Sequence, residues 1–368
     1  MKKIPRKLKM MFPMKHVPFI LESVLYWTLA FLFYVFLKFY GIDNLGLLPT
    51  QHIIFKDLLL PAVYTGALLG VFFTLIEFVF QKTFLKKLVL WLQLLIKSLA
   101  YFVILVALLT AARTLILDDG NESFSSERWW WIQNKFFRTS LVYFLVALFV
   151  FSFLQMAKDN FGKGIFAKML LGVYKKPQKL ARIFMFLDLK SSTAIAEKLG
   201  DYRYSQFIQE TFVELNEVVS KHDATIYQYV GDEAVLVWTY KGGLQFNNCV
   251  EVFFKFKEQL KSKKDYYQNK YGFYPEFKAS VHGGTIVFTE IGTIKKELAY
   301  HGDVINTSSR IQSLCNKYQQ ELLVSETIWN VINSKKQYDS QLYVDTFLKG
   351  KDETLTLFGV QKVGDLVS

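Results

Sequence analysis

Four long apolar runs fill most of the first 157 residues, at roughly 19–40, 58–80, 88–112 and 139–156. Each is close to the ~20 residues that a helix needs to cross the hydrocarbon layer of a bilayer. The alternative, a set of buried helices in a soluble protein, would need a very large core around four such runs in succession. A four-helix transmembrane domain is therefore expected. Composition agrees once it is divided along the chain. Of the 368 residues, 52% are hydrophobic and 21% charged, and 35 are Phe; mean hydropathy is +0.19. The apolar and the charged residues sit in different parts of the sequence.

The connections between the runs set an orientation, because Lys and Arg collect on the cytoplasmic side. Lys2, Lys3, Arg6, Lys7, Lys9 and Lys15 precede the first run. Lys82, Lys86 and Lys87 follow the second, and Lys158, Lys163, Lys168, Lys175, Lys176 and Lys179 follow the fourth. The other two connections are balanced or acidic, with Asp43 and Asp57 in one and Asp118, Asp119, Glu122 and Glu127 in the other. A multi-pass protein of the cell membrane is expected, with both termini cytoplasmic. Lysines at the membrane account for much of the net charge of +12, so no nucleic-acid partner is needed to explain it. Trp129, Trp130 and Trp131 read as an interfacial belt. The first run is too long for a cleavable signal peptide, and no small-residue cleavage site follows it. Glu22, Lys38 and Glu77 fall near run ends, whereas Lys97 lies deeper. An ionisable group at that depth either closes an intramembrane hydrogen bond or serves in sensing. The two cysteines, Cys249 and Cys315, lie in the second half without nearby ligand partners and read as core thiols.

The organisation expected is a membrane domain at 1–156, an amphipathic connector helix at 157–180 and a cytoplasmic domain at 181–368. In the connector, Phe161, Ile165, Phe166, Met169 and Leu170 recur at helical spacing, and Pro177 closes it. Strands and helices then alternate. The segment 182–187 reads as a buried strand. Helix follows at 194–199 and 204–222, broken at Gly200-Asp201. A hairpin, 225–230 with 234–238, turns at Gly231-Asp232-Glu233. Helix at 244–260, strands at 277–281 and 285–288, helix at 304–316, a strand at 321–324 and a closing pair at 344–348 and 355–360 complete the pattern. This order gives an α+β sandwich of βαββαβ kind, ferredoxin-like, with helices on one face of a mainly antiparallel sheet.

Two acidic turns stand out in this half. One is Phe186-Leu187-Asp188-Leu189-Lys190-Ser191-Ser192-Thr193 and the other Tyr229-Val230-Gly231-Asp232-Glu233. Carboxylates at adjacent strand ends are what a two-metal phosphoryl-transfer site needs.

These turns, with Val281-His282-Gly283-Gly284, Gly302-Asp303-Val304-Ile305-Asn306-Thr307-Ser308-Ser309-Arg310 and Leu348-Lys349-Gly350-Lys351 in order behind them, resemble the class III nucleotidyl cyclases, the adenylate and guanylate cyclase family. The resemblance covers about 182–360 and is similar to a membrane-integral bacterial branch. It implies a membrane-bound adenylate cyclase converting ATP to 3′,5′-cyclic AMP and pyrophosphate. Asp188 and Asp232 would hold two Mg2+ (or Mn2+) ions per site. The backbone of Leu189, Lys190, Ser191, Ser192 and Thr193 would hold the β- and γ-phosphates. Asn306 would orient the ribose, and Arg310, four residues on and so on the same helix face, would stabilise charge on the α-phosphate. Lys351, or Lys349 in another register, would bind the triphosphate. His282 is expected to be structural. In the family the metal acids and the Asn–Arg pair come from different subunits, so a homodimer with two shared sites is implied.

The base-reading positions depart from the family's habits. Adenylate cyclases typically carry Lys four residues before the second metal Asp, and guanylate cyclases Glu. Here the position holds Gln228. The partner position is Ala299, which can only pack. Gln both donates and accepts, so a guanylate or mixed-purine cyclase stays open, with ATP favoured because Gln lacks an acidic acceptor for the guanine donors. A non-catalytic nucleotide-binding membrane sensor would be signalled by loss of Asp188, Asp232, Asn306 or Arg310, and all four are present. A transporter would call for more intramembrane charge or an inverted repeat.

Overall fold

The computed structural model describes residues 17–41, 55–82, 88–117, 135–161, 165–333, 335–347 and 354–363. The chain divides into two compact units, Met1–Asn160 and Phe161–Ser368.

Among the described residues the first unit holds four helices: α1 (Val17–Gly41), α2 (Phe55–Lys82), α3 (Leu90–Leu117) and α4 (Lys135–Phe161). Three carry a run long and apolar enough to cross a membrane: Phe19–Leu37, Leu58–Phe80 and Arg138–Gln155. In α3 the described apolar run is shorter, Leu95–Ala107. The helices α1 and α2 meet closely through Gly66 and Gly70. A Cβ at Gly66 would come within 2.6 Å of the Thr28 Cα, and one at Gly70 within 2.5 Å of the Val24 Cα. Residues without a side chain let two helix backbones approach this closely. The interior is aromatic, with Trp27, Phe31, Phe73, Tyr101, Phe144 and Phe151 buried in one cluster and Phe73 stacked on Tyr101 at 3.8 Å. Lys97 is not isolated. Its ammonium reaches both Glu77 oxygens at 2.8 and 2.9 Å, and the Tyr101 hydroxyl donates to Glu77 at 2.9 Å. Lys158 pairs with Glu22 at 2.9 Å, joining α4 to α1. The basic residues 2–15, Lys86, Lys87, the acidic residues Asp43 and 118–127, and Trp129–Trp131 lie outside the described residues.

The second unit opens differently from the single connector helix expected. Helix α4 is described as far as Phe161, and α5 (Ile165–Leu170) ends before Gly172, which is in left-handed conformation, φ 68, so the helix expected to reach Pro177 stops short of it. Only a residue without Cβ enters that region at little cost. A turn of 3-10 helix, Val173–Lys175, leads into β1 (Gln178–Leu189). There follow α6 (Ser192–Val219), β2 (Thr225–Val230), β3 (Glu233–Thr239), α7 (Tyr240–Leu244), α8 (Asn248–Ser262) and α9 (Lys264–Tyr271). Then come β4 (Phe277–Ile291), β5 (Glu297–His301), α10 (Asp303–Lys317), β6 (Leu322–Ser325), α11 (Glu326–Trp329), β7 (Tyr338–Phe347) and β8 (Thr354–Lys362). The break expected at Gly200 is present as non-helical backbone inside α6, φ 70 and ψ 160.

The strands form one sheet in the order β2-β3-β1-β4-β6-β8-β7, with β5 paired to β4. Its first four strands are mutually antiparallel. The order 2-3-1-4 is that of two interleaved split β-α-β units, the βαββαβ core expected from sequence. Strand β6 joins parallel to β4, which makes the whole sheet mixed. Helices α6 and α8 cover one face: Ile183, Met185, Leu187, Leu236, Trp238 and Val281 pack there with Phe207, Leu215 and Phe253. The opposite face carries Phe184, Phe186, Val235, Val237, Ile286 and Phe288, with Tyr174 and Val304 against them.

Candidate active site

Alternation along the strands decides where the two acidic turns point. In β1, Leu187 and Leu189 enter the helix-covered core, whereas Phe184 and Phe186 line the other face. Asp188 therefore falls on that second face. In β3, Val235 and Val237 occupy the same face, and Glu233 joins them. In β4, Phe277 and Ala279 are core residues, so Lys278 also turns to the second face. Asp188 is the register partner of both Glu233 and Lys278. The three side chains thus form a row, Glu233–Asp188–Lys278, across three neighbouring strands.

The row has a cover. The Lys278 ammonium lies 3.2 Å from the Asp188 Oδ2 and donates to the Asn316 Oδ1 of α10 at 3.4 Å. Gln312, also on α10, donates to the Asp188 Oδ2 at 2.8 Å. Burial pushes the Asp188 carboxyl above the usual carboxylate range. Hydrogen bonds from Gln312 and Lys278 oppose that rise, and the charge of Asp232 adds to it. Burial, then the charges of Asp188 and Asp232, push Glu233 up to about 7. Tyr204 on α6 feels both Asp232 and Asp188. Asp232 follows the φ 61 corner at Gly231 and precedes Glu233 in the turn between β2 and β3, close enough for its charge to raise the Asp188 carboxyl. The cluster holds more negative charge than its one ammonium balances, so a divalent cation fits it. No group of three or more metal-ligating side chains is found among the described residues, which leaves the remaining ligands of any ion to substrate and backbone oxygens.

The turn after Asp188 is tightly held. The Lys190 amide donates to the Glu276 carbonyl at 2.8 Å, and its ammonium pairs with Glu321 at 2.7 Å. Ser191 takes a left-handed conformation, φ 55, which is uncommon for a residue with a side chain and gathers at functional turns. Helix α6 starts immediately afterwards, so the amides of Ser192 and Thr193 belong to its unsatisfied first turn. Leu189 is a core residue.

Asn306 and Arg310 share a face of α10, Asn306 exposed and Arg310 half-buried. The opposite side of that helix, with Val304, Thr307, Ser308 and Ile311, is buried. Gln228 is exposed on the sheet-edge strand β2, after an irregularity between Ile226 and Gln228. Ala299 is buried in β5. Their neighbours Tyr227 and Tyr300 meet at 4.9 Å, and the Tyr300 amide donates to the Tyr227 hydroxyl at 3.4 Å, which brings β2 and β5 together next to Gln228 and Ala299. Lys349 and Lys351 lie outside the described residues. His282 hydrogen-bonds Ser325 at 2.8 Å and is buried. Burial pushes both free cysteines, Cys249 and Cys315, up to about 12. Lys278 and Gln312 are site residues that sequence reading missed; a register of β1 against β4 would have revealed the first.

Fold and site define an α+β domain with a carboxylate cluster on the antiparallel part of a mixed sheet. Over residues 173–360 the sequence matches the adenylate and guanylate cyclase catalytic domain, and the chain belongs to that family. Adenylate cyclase 2 of Rhizobium meliloti (strain 1021) is 35% identical over 185 residues, 50% of this chain and 51% of that protein. Adenylate cyclase 1 of the same organism is 28% identical over 188 residues, 50% of this chain and 27% of that protein. The match thus spans about half the length of the first relative and about a quarter of the second. Among solved structures, the adenylyl cyclase CyaB from P. aeruginosa is 16% identical, with 51% of this chain and 96% of that chain covered and a TM-score of 0.45.

Proposed function

We propose that this protein is a membrane-bound adenylate cyclase that converts ATP to 3′,5′-cyclic AMP and pyrophosphate at sites shared across a homodimer. The observation that supports the reading is the row Glu233–Asp188–Lys278 on one sheet face, with Asp232 in the turn that leads into it and, as its cover, α10, the helix that also carries Asn306 and Arg310. Two Mg2+ or Mn2+ ions bound by those carboxylates would neutralise the triphosphate and lower the pKa of the ribose 3′-hydroxyl. The 3′-oxygen forms a bond to the α-phosphorus, the bond to the bridging oxygen breaks, and pyrophosphate leaves. Arg310 of one subunit stabilises the charge that develops on the α-phosphate, and Asn306 holds the ribose in line. Lys190 has its amide and its ammonium engaged inside the fold, so within the phosphate-binding stretch expected at Leu189–Thr193 the amides of Ser191, Ser192 and Thr193 are the ones offered to the phosphates. Lys278, one strand from Asp188, is a further cation at the triphosphate, alongside Lys351 or Lys349. Gln228 and Ala299 accept adenine.

Residues 1–156 form the membrane domain, with four spans and both termini cytoplasmic. Residues 157–180 connect it to the cytoplasmic cyclase domain, 181–368. The outer surface of the first unit supports this: Leu25, Leu29, Phe33, Val103 and Phe149 are exposed, Phe149 at 72%. An exterior as apolar as the interior fits lipid rather than water as solvent.

The test is purified full-length protein with Mg2+ or Mn2+ and either ATP or GTP, products resolved by chromatography. Cyclic AMP should predominate. Cyclic GMP as the main product overturns the choice of base, and no cyclic product from either nucleotide overturns the enzyme reading.

A further inference from the structure

The start of the second unit leaves a pair of large apolar side chains in the open. Ile165 and Met169 of α5 pack on the sheet face with Tyr174 and Phe288. Tyr174 is fixed there by an edge-on contact with Phe288 at 4.9 Å, and its carbonyl accepts from the Thr289 hydroxyl at 3.3 Å. The chain reverses at Gly172 between these anchors. Leu170 and Leu171, at the bend, are 69% and 80% exposed. Lys168, Lys175, Lys176 and Lys179 around them are exposed too. No Asp or Glu occurs between Asp159 and Asp188, while six Lys or Arg residues do. The segment begins four residues after the apolar helix α4 ends.

An apolar pair ringed by ammonium groups, and free of carboxylates over that length, fits the boundary of a bilayer whose headgroups are anionic. Leucines enter the acyl edge, lysine stems lie along it, and the ammonium groups meet lipid phosphates. We propose that segment 165–179 docks on an anionic lipid surface through Leu170 and Leu171, with Lys168, Lys175, Lys176 and Lys179 as its electrostatic collar. This rests on the reading of α1–α4 as membrane spans. The rigid anchoring at Tyr174 means that docking would hold the strand leading to Asp188, since Tyr174 lies four residues before β1.

The test uses full-length protein in nanodiscs of zwitterionic lipid, with or without phosphatidylglycerol. Leu171→Cys and, separately, Phe149→Cys carry an environment-sensitive fluorophore; the buried Cys249 and Cys315, with thiols pushed up to about 12, stay unlabelled. The label at 171 should shift to the blue when phosphatidylglycerol is present. The shift should be lost in Lys168→Glu/Lys175→Glu/Lys176→Glu, while the label at 149 is lipid-like throughout. A water-like signal at 171 in both lipids, with 149 still lipid-like, overturns the docking alone. Self-quenching at 171 that ignores lipid charge overturns it in favour of contact with a second copy. A water-like signal at 149 overturns the span reading, and the docking with it.

Discussion

Gln228 carries a neutral amide on an exposed edge strand, and under the proposed function it reads the purine edge. Gln228→Glu replaces its donor with a second acceptor, which suits the N1–H and N2 donors of guanine. A hydrogen bond to a charged group contributes about 1.5–3 kcal/mol, so the GTP:ATP ratio of kcat/KM should rise roughly tenfold to a hundredfold; an unchanged ratio would show that Gln228 does not read the base. Glu321 makes a different prediction. Burial raises its pKa, but hydrogen bonds from Lys190 and Lys257 outweigh that and leave it below the usual value. A depressed carboxyl stabilises the fold above its unfolded pKa, about 4.3, and the contribution disappears as pH falls through the lower folded value. Glu321→Gln should therefore lower stability at pH 7 by about 0.5–1 kcal/mol, the range of half-exposed pairs. The two proteins should converge in denaturation midpoint below about pH 4. Asp188 and Asp232 stand out in sequence because each sits where an apolar run ends, whereas Asn306 and Arg310 are marked by the family resemblance, helical spacing adding only that they share a face. Lys278 and Gln312 were not legible, because their roles come from how β4 and α10 lie against β1. Nothing in the local sequence marks either.

At the scale of elements, the glycines of β4 are informative. Gly283-Gly284 reads as a break between two strands, yet Phe277–Ile291 is one continuous strand. The glycines are there for room. A Cβ at Gly284 would come within 2.7 Å of the Val304 Cγ2, and one at Gly283 within 2.6 Å of the Ile328 Cδ1. Val304 opens α10, the helix that carries Asn306 and Arg310. Gly284→Ala should push that helix outward, cost about 1–3 kcal/mol as overpacking does, and lower kcat along with the melting temperature. Val304→Ala in the same chain should restore both; failure of the second substitution to do so would show that the strain lies elsewhere. Strand and helix types were otherwise legible from periodicity. The short strand β5 and the helices α7, α9 and α11 were not, since all four are too short to show a period. The connector broke where Gly172 takes a positive φ, a stop that the apolar spacing alone conceals.

At the scale of the molecule, the chain is two units of opposite chemistry. The first is held by aromatic stacking, the close approach at Gly66 and Gly70, and the Glu77–Lys97–Tyr101 cluster that ties α2 to α3. That cluster gives Lys97 a structural partner, one of the two roles its sequence position left open. Four apolar runs and five ordered motifs made the division visible in sequence, whereas the meeting of two copies is a property that one chain does not display. Under the proposed function that meeting makes the site, because Asp188 and Asp232 of one subunit act with Asn306 and Arg310 of another. The direct measurement mixes Asp188→Ala and Arg310→Ala chains, each inactive alone, under conditions where folded subunits exchange. Hybrid dimers keep one intact site, so cyclic AMP formation should return to about a quarter of the wild-type rate at equal mixing, half of the dimers being hybrid with one of two sites intact. No activity in the mixture, with subunit exchange verified by crosslinking, would contradict the shared site.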